Sequence, residues 1–357
     1  MHSIQANENF TTEGLFMAYG NTQKLHEQIL NNLIPVMRYK DGDPQKWQET
    51  ARVELIHLLG MPEKNCDNKI EVEWTNERYN YSETRFTFES EEGYRPVVHM
   101  LLPKGKVRPA PIICLQGHST GMHISVGIRK YPNDAEDIAG DRDFALQAVA
   151  EGYAAFALEQ RASGDNGGTE KGPACDHPMY SGLLLGRTLL GERVFDVMRL
   201  IDLFESEFSN FIDVDNVGIT GNSGGGTVCI YAGAVDERIK VCAPSCAFSS
   251  FYASIGLIKH CPCNYIPGIA RLFDMGDIAA LIAPRPMIIG SGLKDMIFPI
   301  AEATEQIEIA RKVYAAMNVP EDIKHVIGSE GHRYYRALMW PEINIAMKKQ
   351  SEYFCRE

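Results

Sequence analysis

The run Val217-Gly218-Ile219-Thr220-Gly221-Asn222-Ser223-Gly224-Gly225-Gly226-Thr227 decides how the rest of the chain is read. A short β-branched stretch meets a cluster of glycines with a serine at its centre, and an apolar, helix-compatible segment follows from Val228 to Ala234. Strand, sharp turn and helix are therefore expected, with Gly-x-Ser-x-Gly at the corner. Such a turn strains the serine backbone and leaves its hydroxyl exposed at the sheet edge. Glycines flank it because side chains there would collide with strand and helix. The serine also stands at a helix N-terminus, where unpaired backbone N–H groups bind a developing anion. The pattern also arises in plain tight connections, so its chemistry has to be judged from the surrounding chain.

A serine hydroxyl is a poor nucleophile at neutral pH and needs a base, normally histidine, held by a carboxylate. On a strand–turn–helix serine these partners follow in the order acid, then histidine, on loops after later strands. After the apolar run Pro286-Met287-Ile288-Ile289-Gly290 comes Ser291-Gly292-Leu293-Lys294-Asp295, which makes Asp295 the acid. Asp274 and Asp277 precede that strand and are weaker rivals, and Asp295 can also be read as a turn or N-cap aspartate. After Ile323-Lys324-His325-Val326-Ile327 comes Gly328-Ser329-Glu330-Gly331-His332, which makes His332 the base and leaves His325 inside a strand. The oxyanion needs two donors. One is the N–H of Gly224, and the other is assigned to the N–H of His118 in Leu115-Gln116-Gly117-His118-Ser119, the loop after the first buried strand. The His118 side chain precedes the serine in the chain and is set aside as the base.

Around these residues the pattern is strand–helix alternation with continuously apolar strands, the mark of a parallel sheet covered on both faces. The strands are read at 111–115, 153–158, 217–220, 239–243, 286–290 and 322–327, with helices at 143–151, 183–208 (broken or started late by Gly186 and Gly191), 302–316 and 335–352. Residues 69–103 alternate apolar and polar instead, as half-exposed antiparallel strands do. Residues 11–63 repeat apolar positions at helical spacing, first Leu25, Ile29, Leu33 and Val36, then Trp47, Ala51, Leu55 and Leu58. The fold class is thus α/β: a mostly parallel central sheet with antiparallel N-terminal strands and helices on both faces. A helical extension, 1–68, precedes a catalytic domain, 69–357, with insertions at about 117–141, 159–182 and 245–283. Insertions at the C-terminal ends of parallel strands build binding sites.

A net charge of −12 argues against nucleic acid or an anionic membrane as a partner. There is no run of about 18 apolar residues to cross a bilayer, and the first residues show no basic, apolar leader. The nine cysteines are odd in number and sit mostly in apolar segments, which fits free thiols in a reducing cytoplasm. His260-Cys261-Pro262-Cys263, with Cys242 and Cys246 upstream, invites a metal reading. Cys-x-Cys lacks the usual ligand spacing and no second pair follows, so no metal and no cofactor are expected. The sequence neither requires nor excludes a homo-oligomer.

From about residue 69 to 357 the chain resembles the α/β-hydrolase superfamily. It is most similar to the dienelactone-hydrolase and acetylxylan-esterase-like branch, which includes relatives of prolyl oligopeptidase catalytic domains. The residues that carry this are Gln116-Gly117-His118, Glu159-Gln160-Arg161-Ala162-Ser163-Gly164, Gly221-Asn222-Ser223-Gly224-Gly225, Ala283-Pro284-Arg285-Pro286, Asp295 and Gly331-His332. Gln116 stands where many relatives carry a histidine before the glycine. The resemblance implies a serine hydrolase for a small-molecule carboxylic ester, with short acyl groups, acetyl on carbohydrate among them, as the substrate class.

Substrate contacts are sought in the insertions and near the strand ends: Gln116, Arg161, Tyr131, Tyr180, Phe251 and Trp340, with His177 and Tyr252 beside them. Each is equally open to a packing role, and Arg161 reads as a loop-orienting residue first. A peptidase or amidase with the same triad is the nearest alternative. A non-catalytic binding protein on the same fold is the other.

Overall fold

The structure, a computed structural model, describes residues 20–354. The part of the helical expectation that falls on residues 11–19 lies outside the described residues.

One nine-stranded sheet runs through the protein in the order β1-β2-β3-β5-β4-β6-β7-β8-β9. β1 (Ile70–Glu77), β2 (Tyr81–Phe88) and β3 (Val97–Pro103) pair antiparallel, and β3 joins β5 (Ala154–Leu158) antiparallel. From β5 onward every pairing is parallel: β4 (Pro111–Leu115), β6 (Val217–Asn222), β7 (Ile239–Ser245), β8 (Met287–Gly292) and β9 (Ile323–Gly328). β4, β5, β6 and β8 are buried along their whole length, which is why they read as unbroken apolar runs. β1 is one edge strand, β9 the other, and β1 keeps its glutamates exposed.

Helices cover both faces. One core gathers α2 (Pro44–Leu59), α5 (Leu189–Leu203), α6 (Gly224–Val235) and α8 (Ile300–Ala316) against the sheet. The other gathers α3 (Phe144–Glu151) and α9 (Arg336–Phe354). α2 starts where Asp43 Oδ1 accepts from Gln45 N at 2.9 Å with Pro44 at the first position, and stops at left-handed Gly60. Its Ala51 and Leu55 are fully buried, as the spacing predicts.

One helical expectation needs correction. α1 spans Thr22–Asn32 only, so Leu33 and Val36 fall beyond it; Leu25 and Ile29 are about half exposed on it. The stretch after it is held instead by backbone bonds from Val36 to Arg271 and Met37 to Leu272. The helix expected over 183–208, broken or started late by Gly186 and Gly191, does start late, as α5, after a separate helix, α4 (Asp176–Leu184). Gly186 takes a left-handed turn, and Thr188 Oγ1 caps α5 by accepting from Gly191 N at 2.9 Å. Only the end of the expected 159–182 insertion, from Asp176, is in α4.

The remaining insertions are pinned by buried polar groups. Within 117–141, the buried Asp134 carboxylate accepts from Thr120 Oγ1, from the N–H groups of Lys130 and Tyr131, and pairs with His123 Nε2 at 2.9 Å. After β5, buried Glu159 accepts from Met122 N at 3.1 Å and from Asp165 N at 3.3 Å. Within 245–283, Asp274 and Asp277 form a capping box on α7 (Met275–Ala280). No helix among the described residues is long and apolar enough to cross a membrane.

Candidate active site

Ser223 sits between β6 and α6 with φ +54° and ψ −124°, a conformation that costs a non-glycine residue roughly 1–3 kcal/mol. Its neighbours hold it there: Ser223 N donates to Ser245 O at 2.9 Å, and Thr227 N donates to Ser223 O at 2.8 Å. The corner also demands glycine. A Cβ on Gly225 would come within 2.1 Å of the Leu115 carbonyl oxygen, so β4 and the start of α6 meet only without a side chain there. A Cβ on Gly117 would lie 2.8 Å from Ser223 Cβ, so the loop after β4 passes directly beside the serine.

Asp295 leaves the end of β8 and His332 the end of β9. Asp295 Oδ2 accepts from His332 Nδ1 at 2.8 Å. Asp295 Oδ1 accepts from the N–H groups of Ile297 at 2.8 Å and Phe298 at 3.2 Å. Burial pushes the Asp295 carboxyl up, but His332 and the two N–H groups outweigh it and hold it below the usual carboxylate range. Phe298 stacks on the His332 ring with centroids 6.0 Å apart, and Arg142 Nη2 donates to His332 O at 3.2 Å. Phe298 packs on the ring and Arg142 holds the backbone that carries it. Cys246 lies against this pair, and its thiol is pushed up to about 12, by burial first and by Asp295 next.

Ser223 and His332 open into one cavity of roughly 450 Å³. Gly117, His118, Asn222 and Ile297 line its floor side; Arg142, Lys171, Pro173, Ile258, Lys259, His260, Cys261 and Asn264 line the rest. The wall residues from 171–173 and 258–264 come from the expected insertions. Of these, only His260 and Cys261 stood out in the sequence, as part of a metal reading; the others did not, because residues in a loop carry no periodicity.

The rivals of the acid and base are otherwise engaged. Asp274 Oδ1 accepts from Met275 N and Phe251 N, each at 2.8 Å, and Asp277 pairs with Arg38. His325 Nε2 bonds Ser291 Oγ at 3.0 Å inside the sheet.

None of the six tentative substrate residues lines the cavity. Gln116 is buried, donating to Ser125 Oγ at 2.8 Å and Arg142 O at 2.6 Å. Arg161 grips Asp196 with two bonds of 2.9 Å, reaches Glu91 at 2.9 Å and lies 4.1 Å over the Tyr94 ring. Tyr131 stands in the Asp134 turn, and Tyr180 is exposed on α4. Phe251 packs in the core beside α7. Trp340 is buried on α9, donating to Gln147 Oε1 at 2.8 Å. His177 and Tyr252 do not line the cavity either.

The cysteine reading also changes. Cys242 Sγ donates to Cys229 O and Cys246 Sγ to Arg333 O, away from the Cys-x-Cys pair. Cys261 and Cys263 instead meet Cys175 and the His118 ring. The spacing rule missed this because the partners come from two other connections.

The acetyl xylan esterase (AXE1) family model matches residues 64–267. YtaP of Bacillus subtilis (strain 168), provisionally named a hydrolase, is 28% identical over 238 residues, 66% of this chain and 77% of that protein. A solved structure provisionally named an acetyl xylan esterase, from Bacteroides fragilis NCTC 9343, superposes with TM-score 0.72 at 21% identity over 86% of this chain and 82% of its own. A glucuronoyl esterase from Solibacter usitatus superposes with TM-score 0.68 at 17% identity over 89% of this chain and 97% of its own. The fold is that of the α/β-hydrolases.

Proposed function

Because the chain belongs to the acetyl xylan esterase family, we propose that this carboxylic ester hydrolase uses Ser223 to remove short acyl groups, acetyl above all, from carbohydrate. One observation carries the reading. A strained serine at a strand–helix corner shares a cavity with a histidine that is itself bonded to a buried carboxylate.

His332 takes the Ser223 proton as Oγ attacks the ester carbonyl carbon. Asp295 keeps the proton of His332 on Nδ1, leaving Nε2 free to act, and stabilises the imidazolium. The N–H groups of Gly224 and His118 receive the oxyanion. His332 then passes the proton to the departing alkoxide, and the sugar alcohol leaves an acylated Ser223. Water, deprotonated by His332, attacks the acyl carbon; the bond to Ser223 Oγ then breaks, His332 returns its proton to Oγ, and the carboxylic acid leaves.

The cavity walls support a short acyl group on a polar alcohol. Pro173, Ile258 and Ile297 are the main apolar side chains there, too few to sheathe a long acyl chain, whereas Lys171, Lys259, His260 and Asn264 offer hydrogen bonds to hydroxyls. The described cysteines are free thiols, which supports a reducing cytoplasmic setting.

The test is a panel of acetylated sugars, longer acyl esters and aminoacyl amides assayed on wild type and Ser223→Ala. The account expects acetyl esters to be hydrolysed best and Ser223→Ala to lose roughly 10⁴-fold in kcat. Amides turned over faster than acetyl esters would contradict it.

A further inference from the structure

Three connections around the cavity bring soft ligands to one point. His118 comes from the loop after β4, Cys175 immediately precedes α4, and Cys261 and Cys263 come from the 245–283 excursion. One imidazole nitrogen and three sulfurs lie within 4.8 Å of one another, with His118 Nε2 3.0 Å from Cys263 Sγ. In a tetrahedral zinc site with bonds of about 2.0–2.3 Å, neighbouring ligand atoms stand roughly 3.5–3.8 Å apart. The observed spread brackets that value. The cysteines are free, and Cys175 and Cys263 are buried.

A second observation concerns charge. Arg193 is 3% exposed and has no carboxylate partner among the described residues. Its Nη2 lies 3.3 Å from Cys175 Sγ, and its other bonds go to the Arg161 carbonyl. A buried guanidinium needs an anion. Zn²⁺ with three thiolates and a neutral imidazole carries one net negative charge, which Arg193 balances.

We propose that His118, Cys175, Cys261 and Cys263 bind one Zn²⁺ in a closed tetrahedral site that braces the cavity walls. Thiolate-rich ligands favour zinc over magnesium, calcium or manganese. Four protein ligands leave no position for water, so the ion acts as a brace and not as a Lewis acid. Its point of leverage is His118. That ring packs over Gly224, and the preceding Gly117 abuts Ser223. The ion thereby ties the loop beside the nucleophile to two segments of the cavity wall that are distant in sequence.

The full chain, purified from zinc-supplemented cells without chelator, is measured by inductively coupled plasma mass spectrometry. About one zinc per chain is expected, with a loss of roughly tenfold or more in Cys175→Ser and in Cys261→Ser. Cys229→Ser, outside the cluster, should keep its zinc. Co²⁺ reconstitution of stripped wild type should give thiolate charge-transfer and tetrahedral d–d bands, a readout that does not depend on a variant folding. Ser223→Ala should hold as much zinc as wild type, so this result stands apart from the esterase assignment. Wild type without zinc and without thiolate–Co²⁺ bands, or full zinc retained in both cysteine variants, or a disulfide within the cluster, would overturn the proposal.

Discussion

Asp295 Oδ2 and His332 Nδ1 stand 2.8 Å apart, although the residues leave different strands and are 37 positions apart in the chain. The parallel order of β8 and β9 brings their C-terminal ends side by side, and the two loops then meet over Ser223's end of the sheet. If Asp295 orients the imidazole, Asp295→Asn should lower kcat by about 10⁴-fold with KM little changed. Steady-state kinetics on p-nitrophenyl acetate checks it, and a loss below about tenfold would remove Asp295 from the mechanism.

Gly117→Ala places a methyl group 2.8 Å from Ser223 Cβ and 2.7 Å from the Asn222 carbonyl oxygen. Neither the backbone nor Ser223 can yield without moving the serine Oγ. A fall of roughly 10²-fold in kcat is expected, with the circular dichroism spectrum retained. Activity within twofold of wild type would show that the loop does not register the serine.

Arg161 is a buried counter-ion for Asp196 and Glu91. Arg161→Met leaves buried Asp196 without its cation, while Glu91 keeps Arg187 at 2.7 Å, and should cost about 3–5 kcal/mol of stability, with kcat per folded molecule unchanged. Urea unfolding and active-site titration separate the two. Unaltered stability with a raised KM would restore Arg161 to the substrate site.

Burial pushes the Glu159 carboxyl up to about 7 from an ordinary 4.5, against the N–H groups of Met122 and Asp165 that favour its anion. A folded value above the unfolded one means that the stabilisation is full below pH 4.5 and is lost as pH rises through about 7. Glu159→Gln stays neutral and should flatten that decline. Urea midpoints compared at about pH 4.5 and about pH 8 test it. A slope unchanged in the variant would assign the pH dependence elsewhere.

Much of this architecture was legible because buried parallel strands announce themselves as apolar runs. Pro111 to Leu115 and Val217 to Thr220 are read directly, and the position of Ser223 follows from the glycines that β4 forces on the corner. The place of Asp295 was legible for the same reason, in the loop after the apolar run of β8; that of His332 followed instead from its being the loop after the last strand, β9, whose Lys324 and His325 interrupt the run. The substrate residues were not. Trp340 and Phe251 were chosen for size, and size is what packs cores, so both are buried away from the cavity. The cavity's Lys171, Lys259 and Asn264 lie in connections without period, whose paths are set by buried anchors such as Asp134 and Asp274. The union of Cys175 with Cys261 and Cys263 depends on the same tertiary paths, which a local spacing rule does not reach.

The central claim, that Ser223 is the nucleophile, is tested most directly by fluorophosphonate labelling followed by intact-mass and peptide mass analysis. The account predicts one adduct per chain on the peptide containing Ser223, abolished in Ser223→Ala and slowed in His332→Ala. An unlabelled wild type, or an adduct on any other residue, would contradict it.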